Sequence, residues 1–99
     1  PQASAVGFRN EHLLEEHWHK HGREFKATSR EQYLQLAQAL RDAPVGGNVL
    51  EIVRGDGTVS RFDKNTGAFI AFESNGTIRT FFRPNDGERY FRRQAQRRR

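Results

Sequence analysis

The fold is decided by residues 49–82, which read VLEIVRGDGTVSRFDKNTGAFIAFESNGTIRTFF. The residues before this stretch have the apolar spacing of helices, whereas within it the side chains follow the period of two that is typical of β-strands. The predicted strands span residues 49–54, 58–62, 68–72 and 77–82. Turn signals that contain glycine separate them at 55–57, 64–67 and 75–76, and each is short enough for a hairpin. The stretch therefore predicts a four-stranded antiparallel β-meander.

Two helices precede the predicted sheet. The first covers residues 10–22, where Gly22 is a natural stop signal. The second covers residues 29–42 and begins with a capping-box signal at Thr28 or Ser29. Its predicted apolar stripe consists of Tyr33, Leu36, Ala37 and Leu40. We therefore expect an α+β fold in which the N-terminal helices pack on one face of the meander.

Basic side chains are concentrated at the end of this 99-residue chain. The net charge is +5, yet the last eleven residues contain six arginines and no acid, whereas residues 1–88 carry 11 basic and 12 acidic side chains. We expect a single domain over residues 1–91, followed by a basic, flexible tail over residues 92–99. Such a tail suits a polyanion, most often a nucleic acid, or serves only to keep the chain soluble.

The composition excludes several classes of protein. The chain contains no cysteine, which excludes a disulfide scaffold, a cysteine nucleophile and a metal site with cysteine ligands. No apolar run approaches the roughly 18 residues that a transmembrane helix needs, so we expect no membrane-spanning segment in this chain.

The strongest chemical signal is a cluster of histidines in the first helix. All four histidines lie within ten residues, and His17 and His21 share one helix face because they are four residues apart. Lys20 borders that face, whereas His19 points roughly the other way. Two imidazoles beside a lysine favour acid–base chemistry on an anion, ahead of a cluster without a role. Metal binding by His17 and His21 is the third reading, because the His-Glu-x-x-His pattern of zinc proteases is missing.

A second group of candidate residues lies on the predicted strands. Strict alternation along 77–83 places Thr80 on one face with Ile78 and Phe82, and Arg79 on the other face. A threonine on an apolar face is either a structural hydrogen-bond donor or a ligand for phosphate. Arg54, at the end of the first strand, fits a bidentate contact to a phosphate or a solvated turn.

Aromatic and basic residues alternate near the C-terminus. Tyr90 lies between Arg89 and Arg92, and either stacks on a base or anchors the tail to the core. The residues that we expect to bind RNA, if RNA is the substrate, are His19, Arg79, Tyr90, Arg92 and Arg93.

Four motifs occur in a specific order between residues 17 and 91. They are HWHKHGREF at 17–25, RGDG at 54–57, FDKNTGAF at 62–69 and NGTIRTFFRP at 75–84. In this order the sequence resembles the C-terminal toxin domains of bacterial contact-dependent growth inhibition and related polymorphic toxin systems. These domains belong to the broad group of ribonucleases similar to barnase, EndoU, colicins and RelE.

The resemblance implies an endoribonuclease, often one that cleaves tRNA, together with a cognate immunity protein that blocks it. It also implies that the chain is the tip of a larger bacterial protein that is secreted or displayed on the surface and acts in the cytoplasm of a target cell. Since the expected site presents His17, Lys20, His21 and Arg54, we expect the contact surface of the immunity protein to be acidic.

The chemistry expected of such a site needs no metal or other cofactor. RNA carries its own nucleophile, the 2′-OH, so the protein supplies a base, an acid and donors for the phosphate oxygens. His17 and His21 fit the first two roles in either order, and Lys20, Arg54 and Thr80 fit the third. The expected product is a 2′,3′-cyclic phosphate.

Two alternatives come from other functional classes. A metal-dependent nuclease would use the region of His17, His19 and His21 as ligands and would lose activity in EDTA. A non-catalytic nucleic-acid-binding module would depend on the arginine tail and on Tyr90 and Phe91.

Overall fold

The computed structural model describes residues 6–96 and has the predicted α+β architecture. Two N-terminal helices, joined by the short 3-10 helix Gly22–Phe25, precede four strands and a third helix. The elements are α1 (Glu11–His21), α2 (Arg30–Asp42), β1 (Val49–Val53), β2 (Val59–Asp63), β3 (Ala68–Phe72), β4 (Ile78–Phe82) and α3 (Glu88–Gln96). None of the helices within residues 6–96 combines the length and the apolar character needed to cross a membrane.

The four strands form one antiparallel sheet in the order β1-β2-β3-β4, as the sequence predicted. Side-chain oxygens help to close the three turns by accepting hydrogen bonds from backbone N–H groups two residues further on. The pairs are Asp56 with Thr58 (2.9 Å), Asp63 with Asn65 (2.8 Å) and Asn75 with Thr77 (2.9 Å). These Asx turns explain why each hairpin contains an Asp or Asn as well as a glycine.

The main core lies between the sheet and helices α1 and α2. Tyr33 is fully buried there, and its hydroxyl donates a hydrogen bond to the backbone oxygen of Phe81, which fastens α2 to the edge strand β4. The prediction that Leu36 belongs to the packed stripe of α2 is wrong, because this residue is 41% exposed. The helix packs instead through Tyr33, Ala37 and Leu40, so Leu36 lies at the margin of the buried face.

The opposite face of the sheet is covered in part by α3, a helix that the sequence did not predict. Phe91 of α3 is buried against Phe62 and Phe69. The boundary expected between the domain and its tail therefore falls inside a helix that continues to Gln96, while residues 97–99 lie outside the described part of the chain.

A β-bulge in β4 changes the expected alternation of its side chains. Ala71 pairs with Thr80, whereas Phe72 pairs with Ile78, so Arg79 is the extra residue of the bulge. The prediction that Ile78 shares a face with Thr80 is therefore wrong. Ile78 is buried in the main core, while Thr80 faces the side of the sheet that carries α3.

Candidate active site

Helix α1 lies beside the edge strand β4, and a cavity of about 620 Å³ opens between them. Leu14 and Trp18 of α1 pack against the main core, which fixes the rotation of the helix. The cavity is lined by Glu16, His17, His19, Lys20, His21, Thr80 and Phe82. Four of the five residues predicted to act in catalysis, namely His17, Lys20, His21 and Thr80, are thus brought together.

His21 is held in place by a carboxylate that the sequence reasoning missed. Its Nδ1 lies 2.9 Å from Oε2 of Glu24, and only 17% of the His21 side chain is exposed. The imidazole also packs on the ring of Phe82, with 5.2 Å between centroids. A carboxylate accepts only, so Nδ1 carries a proton and Nε2 is the nitrogen left to react.

Glu24 is itself anchored to the end of β4. Its Oε1 accepts a hydrogen bond of 2.8 Å from the backbone N–H of Arg83, and its backbone oxygen accepts one of 3.2 Å from Nη1 of the Arg83 side chain. Glu24 can reach back to His21 because α1 gives way at Gly22 to a 3-10 helix. The sequence signal for this contact is that Glu24 follows His21 by three residues.

The prediction that the first helix stops at Gly22 is confirmed, but the reason for the glycine differs from a left-handed cap. Gly22 marks the end of α1, but its backbone is right-handed, and the left-handed residue that ends the 3-10 helix is Lys26 (φ 55°). A Cβ at position 22 would lie 2.5 Å from Cδ1 of Trp18. Glycine is therefore needed here because the indole ring lies against the backbone.

His17 occupies a less polar environment than His21. Its ring lies 5.0 Å from that of Phe8 and 6.0 Å from that of His21, measured between centroids. Nδ1 of His17 is buried and has no hydrogen-bond partner among residues 6–96. Burial, and secondly the neighbouring His21, lower the pKa of His17 below its usual 6.5, so the ring is neutral near pH 7.

A second cavity, of about 320 Å³, adjoins the first at Thr80 and extends to α3. Its lining includes Arg54, Arg79 and Tyr90. Nη2 of Arg54 donates a hydrogen bond of 3.3 Å to Oε1 of Gln94, while the buried Nε has no partner within the described residues. We call the two cavities together the groove. It runs from α1 across Thr80 to α3 and contains all five predicted catalytic residues.

The predicted RNA-binding residues are divided between the groove and the outer surface. Tyr90 lines the groove and also anchors α3, since its ring packs edge-on against Phe69 at 5.0 Å and Phe82 at 5.3 Å. Arg79 lines the groove, and His19 borders it from its exposed side.

The two remaining arginines, Arg92 and Arg93, are exposed and line neither cavity of the groove. Arg92 forms an ion pair with Glu88, and Arg93 forms one with Asp86.

A metal-dependent nuclease would need several side chains that converge on one metal ion. Within residues 6–96, no three His, Cys, Asp or Glu side chains converge in an arrangement that could hold a metal ion.

Comparison with known proteins finds similarity at the level of the fold. The sequence matches no protein-family model and no curated protein. The structure is similar to that of a ribonuclease from Escherichia coli solved in complex with its inhibitor protein, with a TM-score of 0.51 and 19% sequence identity. The match covers 80% of this chain and 95% of the ribonuclease chain, so nearly all of that ribonuclease has a counterpart in the fold described above.

Proposed function

We propose that this chain is an endoribonuclease toxin domain that cleaves RNA, and specifically tRNA, without a metal ion. The observation that carries the proposal is the groove, in which a neutral His17 faces a His21 held by Glu24, beside Thr80 and the buried Nε of Arg54. The fold shared with an E. coli ribonuclease supports the same conclusion.

The two histidines have environments that suit different roles. His17 is neutral near pH 7, as a general base must be. Nδ1 of His21 lies 2.9 Å from Oε2 of Glu24, and this contact orients the ring so that Nε2 is the nitrogen that donates a proton. We therefore assign His17 as the base and His21 as the acid.

The reaction is a transesterification within the RNA. His17 takes the proton of a 2′-OH, and the oxygen attacks the adjacent phosphorus. The bond between phosphorus and the 5′-oxygen breaks, and His21 donates its proton to that oxygen. The products are a 2′,3′-cyclic phosphate and a 5′-OH, and the two histidines exchange their protonation states.

The remaining groove residues stabilise the charge that develops on the phosphate. Lys20 supplies a cation beside the two histidines, and Thr80 supplies a hydroxyl where the two cavities meet. The buried Nε of Arg54 lacks a hydrogen-bond partner among the described residues, and a phosphate oxygen would satisfy it. Donors placed in this way act most strongly in a groove from which substrate excludes water.

The proposal extends to a partner and a place of action. An immunity protein would neutralise the toxin by covering the groove, and its contact surface would be acidic because Lys20, Arg54 and Arg79 line the groove. The domain would be delivered as part of a larger bacterial protein and would act in the cytoplasm of the target cell. An inhibitor that binds through an apolar surface away from the groove would contradict this part of the proposal.

The function is tested by incubating the purified chain with total bacterial RNA in EDTA, with His21→Ala as the inactive variant. We expect discrete cleavage by the wild type, with cyclic-phosphate ends, and a loss of about 10²–10⁴-fold in the variant. Cleavage that appears only after a divalent metal is restored would contradict the proposal and would favour a metal-dependent nuclease. RNA binding without cleavage under either condition would favour a non-catalytic binding module.

A further inference from the structure

A third cavity, a cleft of about 450 Å³, lies on the other side of His19 from the groove. It is lined by Trp18, His19, Arg23, Lys26, Ala27 and Thr28. His19 lines both this cleft and the groove, so the two are adjacent at that residue. No residue of the cleft belongs to the catalytic set assigned above.

The cleft is positively charged and has no carboxylate in its lining. Arg23 and Lys26 are both exposed. The nearest acid along the chain, Glu24, is engaged with His21 and with the backbone of Arg83. The two cations are therefore available to a ligand that carries negative charge.

The cleft also contains a fixed aromatic surface. Trp18 is half-buried, the centroid of its ring lies 4.9 Å from that of His19, and the Cδ1–Nε1 edge of the indole lies against the backbone at Gly22. Because its position is fixed by these contacts, the indole loses little conformational freedom when a flat ring stacks on it. Stacking on an aromatic side chain is a common way to bind an unpaired base.

We propose that this cleft is a second RNA subsite, which binds a single-stranded segment that leaves the groove past His19. Arg23 and Lys26 would contact backbone phosphates, and Trp18 would stack on a base. The proposal rests on the proposed function, because it takes RNA to be the substrate in the groove. It assigns to this chain a binding site for several nucleotides in addition to the site of cleavage.

Trp18 provides a direct test because it is the single tryptophan of the chain. Binding of a single-stranded oligoribonucleotide to the full chain carrying His21→Ala, which leaves the RNA intact, is expected to quench the tryptophan fluorescence. A dinucleotide, which fills only the groove, is expected to leave the fluorescence unchanged. Binding of the labelled oligonucleotide, measured by anisotropy, with unchanged tryptophan fluorescence would overturn the role of Trp18.

The role of the cations is tested by Lys26→Ala and by Arg23→Ala with Lys26→Ala, against the matched control Lys64→Ala in the exposed turn before β3. Each lost phosphate contact should reduce the slope of log affinity against log salt by about 0.7, the value for single strands. The double variant should raise KM for the oligonucleotide and leave the cleavage rate of a dinucleotide unchanged. Slopes equal to that of Lys64→Ala would overturn the subsite.

The two proposals fail in different ways. If the wild type cleaves RNA but neither Trp18 fluorescence nor the salt slope responds as expected, the subsite is wrong and the proposed function stands. If RNA quenches Trp18 but the wild type cleaves no RNA, the cleft binds RNA and the proposed function is wrong.

Discussion

Helix α1 carries two pairs of histidines that differ in how far their side chains are exposed to solvent. His17 and His21 face the edge strand β4, and their rings contact Phe8 and Phe82. His12 and His19 have side chains that are 79% and 66% exposed, and each lies beside a glutamate of the same helix. His17 and His21 thus lie inside the groove, whereas His12 and His19 lie mostly in solvent, with His19 at the exposed margin of the groove.

The difference between the pairs arises from the phase of the helix. Leu14 and Trp18 pack against the core, and this sets which histidines reach the sheet. The number of histidines in the segment says little about function, whereas the spacing of four residues between His17 and His21 identifies the pair that shares the groove. His12 therefore supplies a matched control for substitutions of His17 and His21.

The largest effect is expected from removing the proposed base. His17→Ala should lower the rate of RNA cleavage by about 10²–10⁴-fold, because it removes the imidazole assigned to take the 2′-OH proton. His12→Ala should leave the rate unchanged. Single-turnover kinetics on one RNA substrate would compare the two variants, and equal rates for both would remove His17 from the mechanism.

A smaller effect is expected from the residue that orients His21. Glu24→Gln keeps the size of the side chain but removes the carboxylate that holds Nδ1 of His21. We expect a loss of about 10–100-fold, as for carboxylates that orient metal-bound imidazoles. The same substitution should have no further effect on the rate when it is made in His21→Ala, which a merely structural defect would not cause. Full activity of Glu24→Gln would show that Glu24 does not act through His21.

The pKa of His17 predicts a dependence of stability on pH. It lies below 6.5 in the folded protein, so the unfolded chain binds more protons just below that pH. The free energy of unfolding should therefore fall as the pH drops from about 6.5 to the lowered pKa, and level off below it. Denaturant midpoints across this range should show a weaker dependence for His17→Gln than for His12→Gln. A steeper dependence in His17→Gln would contradict the direction of the shift.

The smallest effect is expected on the exposed face. His12→Ala removes an exposed pair with Glu16 that is four residues away in the helix. Such pairs contribute about 0.2–0.5 kcal/mol, so the denaturant midpoint should barely change. A loss above about 1 kcal/mol, well beyond that range, would show that the exposed pair has a structural role.

The sequence predicted the parts of the fold that depend on local signals. The period of two and the glycine turns located all four strands, and the cap at Ser29 located α2. Helix α3 was missed because its arginines suggested a solvated tail, whereas the burial of Phe91 against the sheet depends on tertiary packing. The bulge at Arg79 was missed because strict alternation assumes an unbroken register.

For the groove as well, local sequence signals predicted one part, and the rest depends on tertiary packing. The spacing of His17 and His21 predicted a shared helix face, but nothing local placed Thr80 or Arg54 near them. The positions of Thr80 and Arg54 relative to the two histidines depend on the order of the strands and on the path of α1 along β4. Glu24 was missed because it lies beyond Gly22, where the sequence predicted the helix to end, whereas the chain continues there as a 3-10 helix.

The central claim is that the RNA supplies its own nucleophile, and its most direct test is a chemical change in the substrate. Once a cleavage site is mapped on an oligoribonucleotide in EDTA, the same oligonucleotide is made with a 2′-deoxy sugar at that one position. The account predicts that cleavage there stops and that the unmodified substrate ends in a 2′,3′-cyclic phosphate. Cleavage that continues at the deoxy position would contradict the account, because the attacking oxygen would then come from elsewhere.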